Sequence, residues 1–295
     1  MLIKLRAKKP FSFSSVIHSH GWARLSPFDY DDEKNSLEYT IHLKNWRTVH
    51  LQIEETADGV VVNSGSNLGT LEEEEITNSV TWMLALNEEF SEFYELARRE
   101  PKLQHVEDKA QGRLLRSPTL FEDTVKTILT TNTAWGGTIR MTEAFVNQFG
   151  DTLPEDTSRH AFPTPNEIAK TDEETLRNDT RLGYRAPYIL QLARDIVSGE
   201  LDLESMKDID LPTEDVRKQL LAIKGIGNYA AANLLMLVGH YNYLTIDSWA
   251  FKMVSHEFFG GKPISRDEVE QVFEKWGKWK GLAYWLWDWS YPAEQ

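Results

Sequence analysis

Only four residues, Lys224-Gly225-Ile226-Gly227, separate the helical runs TEDVRKQLLAI and NYAAANLLMLV. So short a connection folds the two runs into an antiparallel helix hairpin over 213–238. Glycine accepts positive φ and lets another backbone come close. The second helix starts near Asn228, so its free amide groups and positive dipole end face whatever lies beside the loop. A phosphate fits there without any side-chain charge. The same spacing also suits a plain helix hairpin with glycines at a tight turn. Further on, Asp247 stands alone in the apolar stretch LTIDSWAFK. Placed before SWAFKMV, it reads as a helix N-cap, which would fix its orientation and keep it ionised.

The formal net charge is -14. Taken alone it argues against nucleic acid, because phosphate binding is driven by Lys and Arg. A local funnel of backbone amides can still hold a phosphate on an acidic protein. There is no cysteine, which excludes disulfides, thiolate zinc sites, iron–sulfur clusters and a cysteine nucleophile. The start, MLIKLRAKKPFSFSS, has no unbroken apolar region, and no stretch is long and apolar enough to cross a membrane. A cytoplasmic protein is expected, nucleoid-associated if bacterial. His18 and His20 form an H-x-H without further ligands nearby, and His256-Glu257 lacks the second histidine of a zincin. No metal site is expected.

The period of the chain changes near residue 78. Before it, LEYTIHLKNWRTVHLQIEE alternates apolar and polar residues, and GVVVNSGSNLGT is a short β-rich run ending in turn residues. The run LEEEE reads as a solvated face or loop. After it, helical signals dominate. Val80, Leu84, Phe90, Phe93 and Leu96 recur at helical spacing behind the candidate caps Thr77, Asn78 and Ser79. Ser117 and Ser265 are candidate N-caps, and Gly199 a stop. The expected fold class is α+β. A small N-terminal antiparallel-sheet domain (1–78) precedes a large all-helical domain (79–295).

Residues 220–254 resemble the helix-hairpin-helix Gly/Pro-Asp (HhH-GPD) superfamily of DNA glycosylases, in its 3-methyladenine and 8-oxoguanine branches. The matching residues are Leu221, Gly225, Ile226, Gly227 and then Asp247. Four further segments match in the family's order: FSFSSVIHSHGWARLSPF, TLFEDTVKTILTTNTAW, LGYRAPYILQLARDI and GKWKGLAYWLW. The resemblance makes 79–295 the glycosylase domain. It implies that Asp247 is catalytic, stabilising positive charge on the sugar as the base leaves and orienting a water. It implies a DNA contact at Lys224, Gly225, Ile226 and Gly227. Asn132 would fill the gap left by a flipped base, and Tyr184 and Arg185 would contact the unpaired partner. The base pocket would be lined by Tyr229, Asn233, Trp249, Tyr284, Trp285 and Asp288. Tyr284 and Asp288 are i, i+4 and would share a helix face. No cofactor is implied beyond a structural monovalent cation on hairpin carbonyls.

The departures from the family are informative. Members that also cut the DNA backbone carry a Schiff-base lysine where this chain has Tyr229, and a phenol cannot do that chemistry. Lys224 and Lys252 are given solvent or phosphate roles. Thr245 stands where a proline is frequent. Gly137 replaces an arginine that helps read the opposite base, and Tyr284 replaces the glutamine that reads 8-oxoguanine. The expected protein is a monomeric, monofunctional enzyme of base excision repair acting on double-stranded DNA with a damaged, alkylated purine. An 8-oxoguanine-type glycosylase and a lesion-binding module without catalysis are the alternatives.

Overall fold

The computed structural model describes residues 1–290. The alternating N-terminal segments form strands. β1 (Leu2–Arg6), β2 (Phe28–Asp31), β3 (Ser36–His42), β4 (Thr48–Thr56) and β5 (Gly59–Asn63) make one antiparallel sheet in the order β1-β5-β4-β3-β2. A short helix, α1 (Phe13–Ile17), lies between β1 and β2. β3 and β4 pair from Ser36↔Glu54 to His42↔Thr48, which places Leu37, Tyr39 and Ile41 beside Ile53, Leu51 and Val49. All six side chains are buried.

The chain then turns helical, earlier than expected. α2 (Thr70–Met83) begins at the N-cap Gly69, so the acidic run is its first turn. Glu72 accepts the Gly69 N–H at 2.8 Å, and carboxylates at this end suit the helix dipole. The candidate caps Thr77, Asn78 and Ser79, and the expected boundary at 78, fall inside this helix. The helix stops near Ala85, whose φ of 49° a continuing helix cannot accept. α3 (Ser91–Ala97) and α4 (His105–Asp108) follow, then α5 (Leu120–Thr130) and α6 (Trp135–Phe149). A hairpin of β6 (Thr152–Leu153) and β7 (Asp156–His160) leads to α7 (Pro165–Ala169), α8 (Glu173–Thr180) and α9 (Ala186–Ser198), which Gly199 ends at φ 79° as expected. The last helices are α10 (Thr213–Ala222), α11 (Asn228–Leu237), α12 (Ser248–Phe259), α13 (Arg266–Phe273) and α14 (Lys280–Leu286). Ser265 caps α13 with Glu268 in a reciprocal capping box.

Two compact units result: residues 1–88 with 113–205, and residues 89–112 with 206–295. The first unit is organised around α5, whose residues 120–129 are all buried, including Glu122, Asp123 and Lys126. Burying three ionisable groups in one helix requires partners. Lys126 Nζ donates to Glu122 Oε1 at 2.6 Å and lies 4.3 Å from the Phe28 ring centre. Tyr39 Oη donates to the other Glu122 oxygen, also at 2.6 Å. Asp123 accepts from Trp22 Nε1 (2.7 Å) and from the Ser117 N–H (2.9 Å). Ser117 is therefore spent on Asp123, and Thr119 is the N-cap of α5 in its place. In the second unit the core is aromatic. The Tyr241 ring stacks on Trp279 at 5.5 Å, and Phe273 meets Tyr284 and Trp287 edge-on.

Candidate active site

The helix hairpin forms as its spacing requires. α10 ends at Ile223, whose carbonyl accepts the Ile226 N–H at 3.1 Å, and α11 opens at Asn228. Its two glycines have different reasons. Gly225 has φ 95°, a conformation that favours glycine. Gly227 has an ordinary extended backbone, and a Cβ added there would meet nothing within 4 Å. No side chain caps the free amides of α11. The internal packing of the unit thus does not require glycine at 227, and the space beside the free amides is open. Lys224 is exposed beside it, and Ile226 is buried and anchors the turn. For a cation the loop offers neutral carbonyl oxygens, donors that suit a hard ion.

A strap leads from α11 to Asp247 and is held at two points. Gly281 in α14 donates its N–H to the Tyr241 carbonyl at 2.6 Å, and a Cβ on Gly281 would lie 2.3 Å from the Tyr243 carbonyl. Only glycine lets the strap cross α14 this closely. From there Thr245 and Asp247 come against Tyr284, one turn further along α14. Asp247 is the N-cap of α12, and its Oδ1 accepts the Ala250 N–H at 2.9 Å. The expected cap is present, on an exposed rather than buried carboxylate.

Asp247, Tyr229, Thr245, Trp249, Tyr284, Trp285 and Trp289 line a cavity of about 320 Å³. Asp247 supplies the one charge among these lining side chains. Burial pushes the Tyr284 phenol up, and the Asp247 and Tyr229 charges add to the effect. Burial also raises Tyr229, with a hydrogen bond from Asn233 acting against it and the Asp247 charge with it. Both phenols therefore stay neutral O–H groups in the physiological range. The cavity is an aromatic slot with one fixed carboxylate, of a size typical for small-molecule sites.

Four of the expected base-pocket residues meet here: Tyr229, Trp249, Tyr284 and Trp285. Two do not. Asn233 stands behind Tyr229 rather than in the cavity lining: its amide donates to the Tyr229 carbonyl at 3.0 Å and also acts on the Tyr229 phenol. Asp288 is misplaced by the i, i+4 argument, because α14 ends at Leu286 and the helical period stops with it. Its backbone instead binds Lys102: Lys102 Nζ donates to the Asp288 carbonyl at 2.9 Å, and the Asp288 N–H donates to the Lys102 carbonyl at 3.1 Å. This tie turns the chain back and delivers Trp289, which sequence reasoning left out of the pocket. Trp289 meets Trp249 at 5.6 Å and Tyr284 at 5.5 Å. Thr245 was legible only as a departure from the family, not as a lining residue.

The remaining candidates form a second cluster, in the first unit. Asn132 follows the end of α5 with φ 47° and donates to Tyr184 Oη at 3.2 Å. Both are exposed. Tyr184 is held below its ordinary value: burial pushes it up, but hydrogen bonds from Thr131 and Asn132 and the charge of Arg185 outweigh that. Arg185 is buried, donates to the Thr131 carbonyl and lies 4.5 Å from the Tyr184 ring centre. Its guanidinium braces the cluster from inside, so of the two residues expected at the unpaired partner only Tyr184 is exposed. His18 and His20 are spent on other partners, Asp32 and the Leu115 carbonyl. Among the described residues no group of three His, Cys, Asp or Glu could hold a metal ion, and no helix is long and apolar enough to cross a membrane.

Residues 125–278 match the family model described as HhH-GPD superfamily base excision DNA repair protein. The DNA-3-methyladenine glycosylase of Bacillus subtilis is 27% identical over 222 residues, 72% of each chain. The 3-methyladenine DNA-glycosylase of Archaeoglobus fulgidus superposes with a TM-score of 0.76 at 22% identity, covering 97% of both chains. The Clostridium acetobutylicum 8-oxoguanine glycosylase/lyase, in complex with double-stranded DNA containing cytosine opposite 8-oxoG, gives 0.73 at 20% identity, over 94% of this chain and 90% of that one. At these identities the two structures share the fold with this chain.

Proposed function

The chain belongs to the HhH-GPD superfamily of base excision DNA repair proteins and is a DNA glycosylase, and from that premise we propose that it is monofunctional and releases an alkylated purine from double-stranded DNA. One observation carries the reading. Asp247, fixed by the Ala250 N–H, lines an aromatic cavity in which no described lining side chain carries an amine.

The chemistry follows from that geometry. A damaged nucleotide leaves the base stack and its base enters the slot. Trp and Tyr rings attract an electron-poor or cationic ring through their negative faces. As the N-glycosidic bond stretches, positive charge grows on the sugar. The Asp247 carboxylate opposes that charge and takes the proton of an attacking water. With one oxygen held by Ala250, Asp247 needs little reorientation as the charge develops. A ring-alkylated purine leaves as a neutral base, so water attack suffices. Tyr229 supplies no covalent alternative. The DNA backbone lies against Gly227 and the open amides of α11.

The test is a panel of duplexes, each with one damaged base, scored for abasic sites on gels with and without hot alkali, alongside borohydride trapping. Alkali-dependent cleavage of the alkylated-purine duplexes, without a trapped covalent band, is expected. A trapped band, or release restricted to 8-oxoguanine, would overturn the assignment.

A further inference from the structure

Beyond the hairpin, we propose that Lys252 and His256 on α12 form a second grip on the sugar–phosphate backbone of the damaged DNA strand; this rests on the glycosylase reading above. Three observations in the second unit support it.

The first is helix geometry. Trp249, Lys252 and His256 are spaced i, i+3, i+7, which puts them on one face of α12. All three are exposed. Trp249 lines the cavity that holds Asp247. Lys252 and His256 continue that wall away from the cavity by ~4.5 and ~10.5 Å at the α-helical rise. A DNA strand carries one phosphate per ~3.4 Å of axis, so a strand that runs along α12 while its flipped base enters the cavity brings phosphates to both.

The second is a groove. A cavity of about 500 Å³ beside Lys252 and His256 is walled by Phe251, Ser255, Pro263 and Ile264, and its lining contains no carboxylate. Ser255 Oγ donates to the Lys262 carbonyl at 2.6 Å and the Gly261 N–H donates to the Ser255 carbonyl at 3.0 Å, so the rim is fixed. Added Cβ atoms at Gly260 and Gly261 would meet nothing within 4 Å, so the rim stays low. Apolar walls suit the sugars, and the Lys252 ammonium and a His256 ring N–H suit the phosphates.

The third is charge. Neither Lys252 nor His256 has a hydrogen-bond or ion-pair partner among the described residues. The acid next along the helix, Glu257, is taken by Lys102 at 2.8 Å. On a chain of net charge -14, an unpaired lysine and an unpaired histidine bordering a groove without carboxylates supply a local charge and ring donors for a polyanion.

The experiment measures affinity for an undamaged duplex across a salt series by fluorescence anisotropy, with the full chain and the variants Lys252→Gln, His256→Gln and Lys170→Gln. Lys170 is an exposed lysine in the first unit, and its variant controls for net charge. Lys252→Gln is expected to lower the slope of log K against log salt by about 0.9, the value for one phosphate contact. His256→Gln should weaken binding at fixed salt, and Lys170→Gln should match wild type. An unchanged slope in Lys252→Gln, or an equal drop in Lys170→Gln, overturns the proposal. Base release by wild type on the lesion panel tests the glycosylase reading independently. A chain that releases no base but shows the Lys252 slope change refutes that reading and keeps the groove.

Discussion

Asp247 Oδ1 accepts the backbone N–H of Ala250 at 2.9 Å, so the same carboxylate begins α12 and faces the aromatic cavity. The two duties can be separated. Asparagine caps helices about as well as aspartate but carries no charge. Asp247→Asn is expected to keep the wild-type melting temperature and DNA affinity while base release falls at least ~100-fold, the loss typical of a deleted electrostatic stabiliser. Asp247→Ala should also lose about 1 kcal/mol of stability with the cap. Single-turnover excision and thermal melts check both. Near-wild-type release by the asparagine variant would sink the mechanism.

The hairpin glycines should fail in different ways. Gly225 at φ 95° serves the fold, so Gly225→Ala should destabilise by about 1 kcal/mol or more. Gly227 has open space around its missing Cβ, so Gly227→Val should fold with at most about 1 kcal/mol lost at the cap. Its DNA affinity should drop on damaged and undamaged duplex alike, because phosphate contacts carry no sequence information. Melts and anisotropy titrations distinguish the two.

Arg217 links the hairpin to the strap before Asp247. Its Nη2 donates to Asn228 Oδ1 at 2.9 Å, and its guanidinium carbon lies 4.8 Å from the Tyr243 ring centre. The Tyr243 hydroxyl donates to Glu214, and burial together with that carboxylate pushes the phenol up to about 12. Arg217→Ala should cost on the order of 1 kcal/mol of stability, since both partners are only half-buried. It should slow base release on the order of tenfold by loosening the strap that aims Asp247. A rate unchanged at saturating enzyme would show that the strap is held by Gly281 alone.

Two buried groups in the first unit give opposite pH dependences. Burial raises Asp123 to about 6, against hydrogen bonds from Ser117 and Trp22. Its stabilising contribution is present below pH ~4, the unfolded carboxylate value, and lost as pH rises through about 6. Burial lowers His20 to about 4, so its contribution is present above pH ~6.5 and lost as pH falls through about 4. The two largely offset in the wild type. Asp123→Asn should leave the His20 dependence exposed and lose roughly 3 kcal/mol more than wild type on acidification from pH 6.5 to 4. His20→Gln should show the opposite sign. Urea melts at stepped pH measure both differences, and parallel curves for all three proteins would refute the assignment.

The features legible in the sequence were local ones. The hairpin at 213–238, the cap at Asp247, the capping box at Ser265 and the stop at Gly199 each depend on residues within one or two turns. α2 was read too late because its acidic first turn resembled a solvated loop. Ser117 was misread as a cap because its true partner, Asp123, is itself an interior residue of the next helix.

The sequence by itself determined the helix hairpin, the carboxylate that follows it and the phenol at position 229, because spacing and residue type act over a few bonds. Tertiary structure decided what surrounds that carboxylate. Trp289 reaches the cavity because Lys102, nearly two hundred residues earlier, holds the backbone of Asp288. Tyr284 lies against Asp247 because Gly281 admits the strap across α14. Arg185 turns inward because its guanidinium donates to the Thr131 carbonyl, at the end of a separate helix. Each of these contacts joins segments far apart in the chain, where helical periodicity carries no information and packing alone selects the partner.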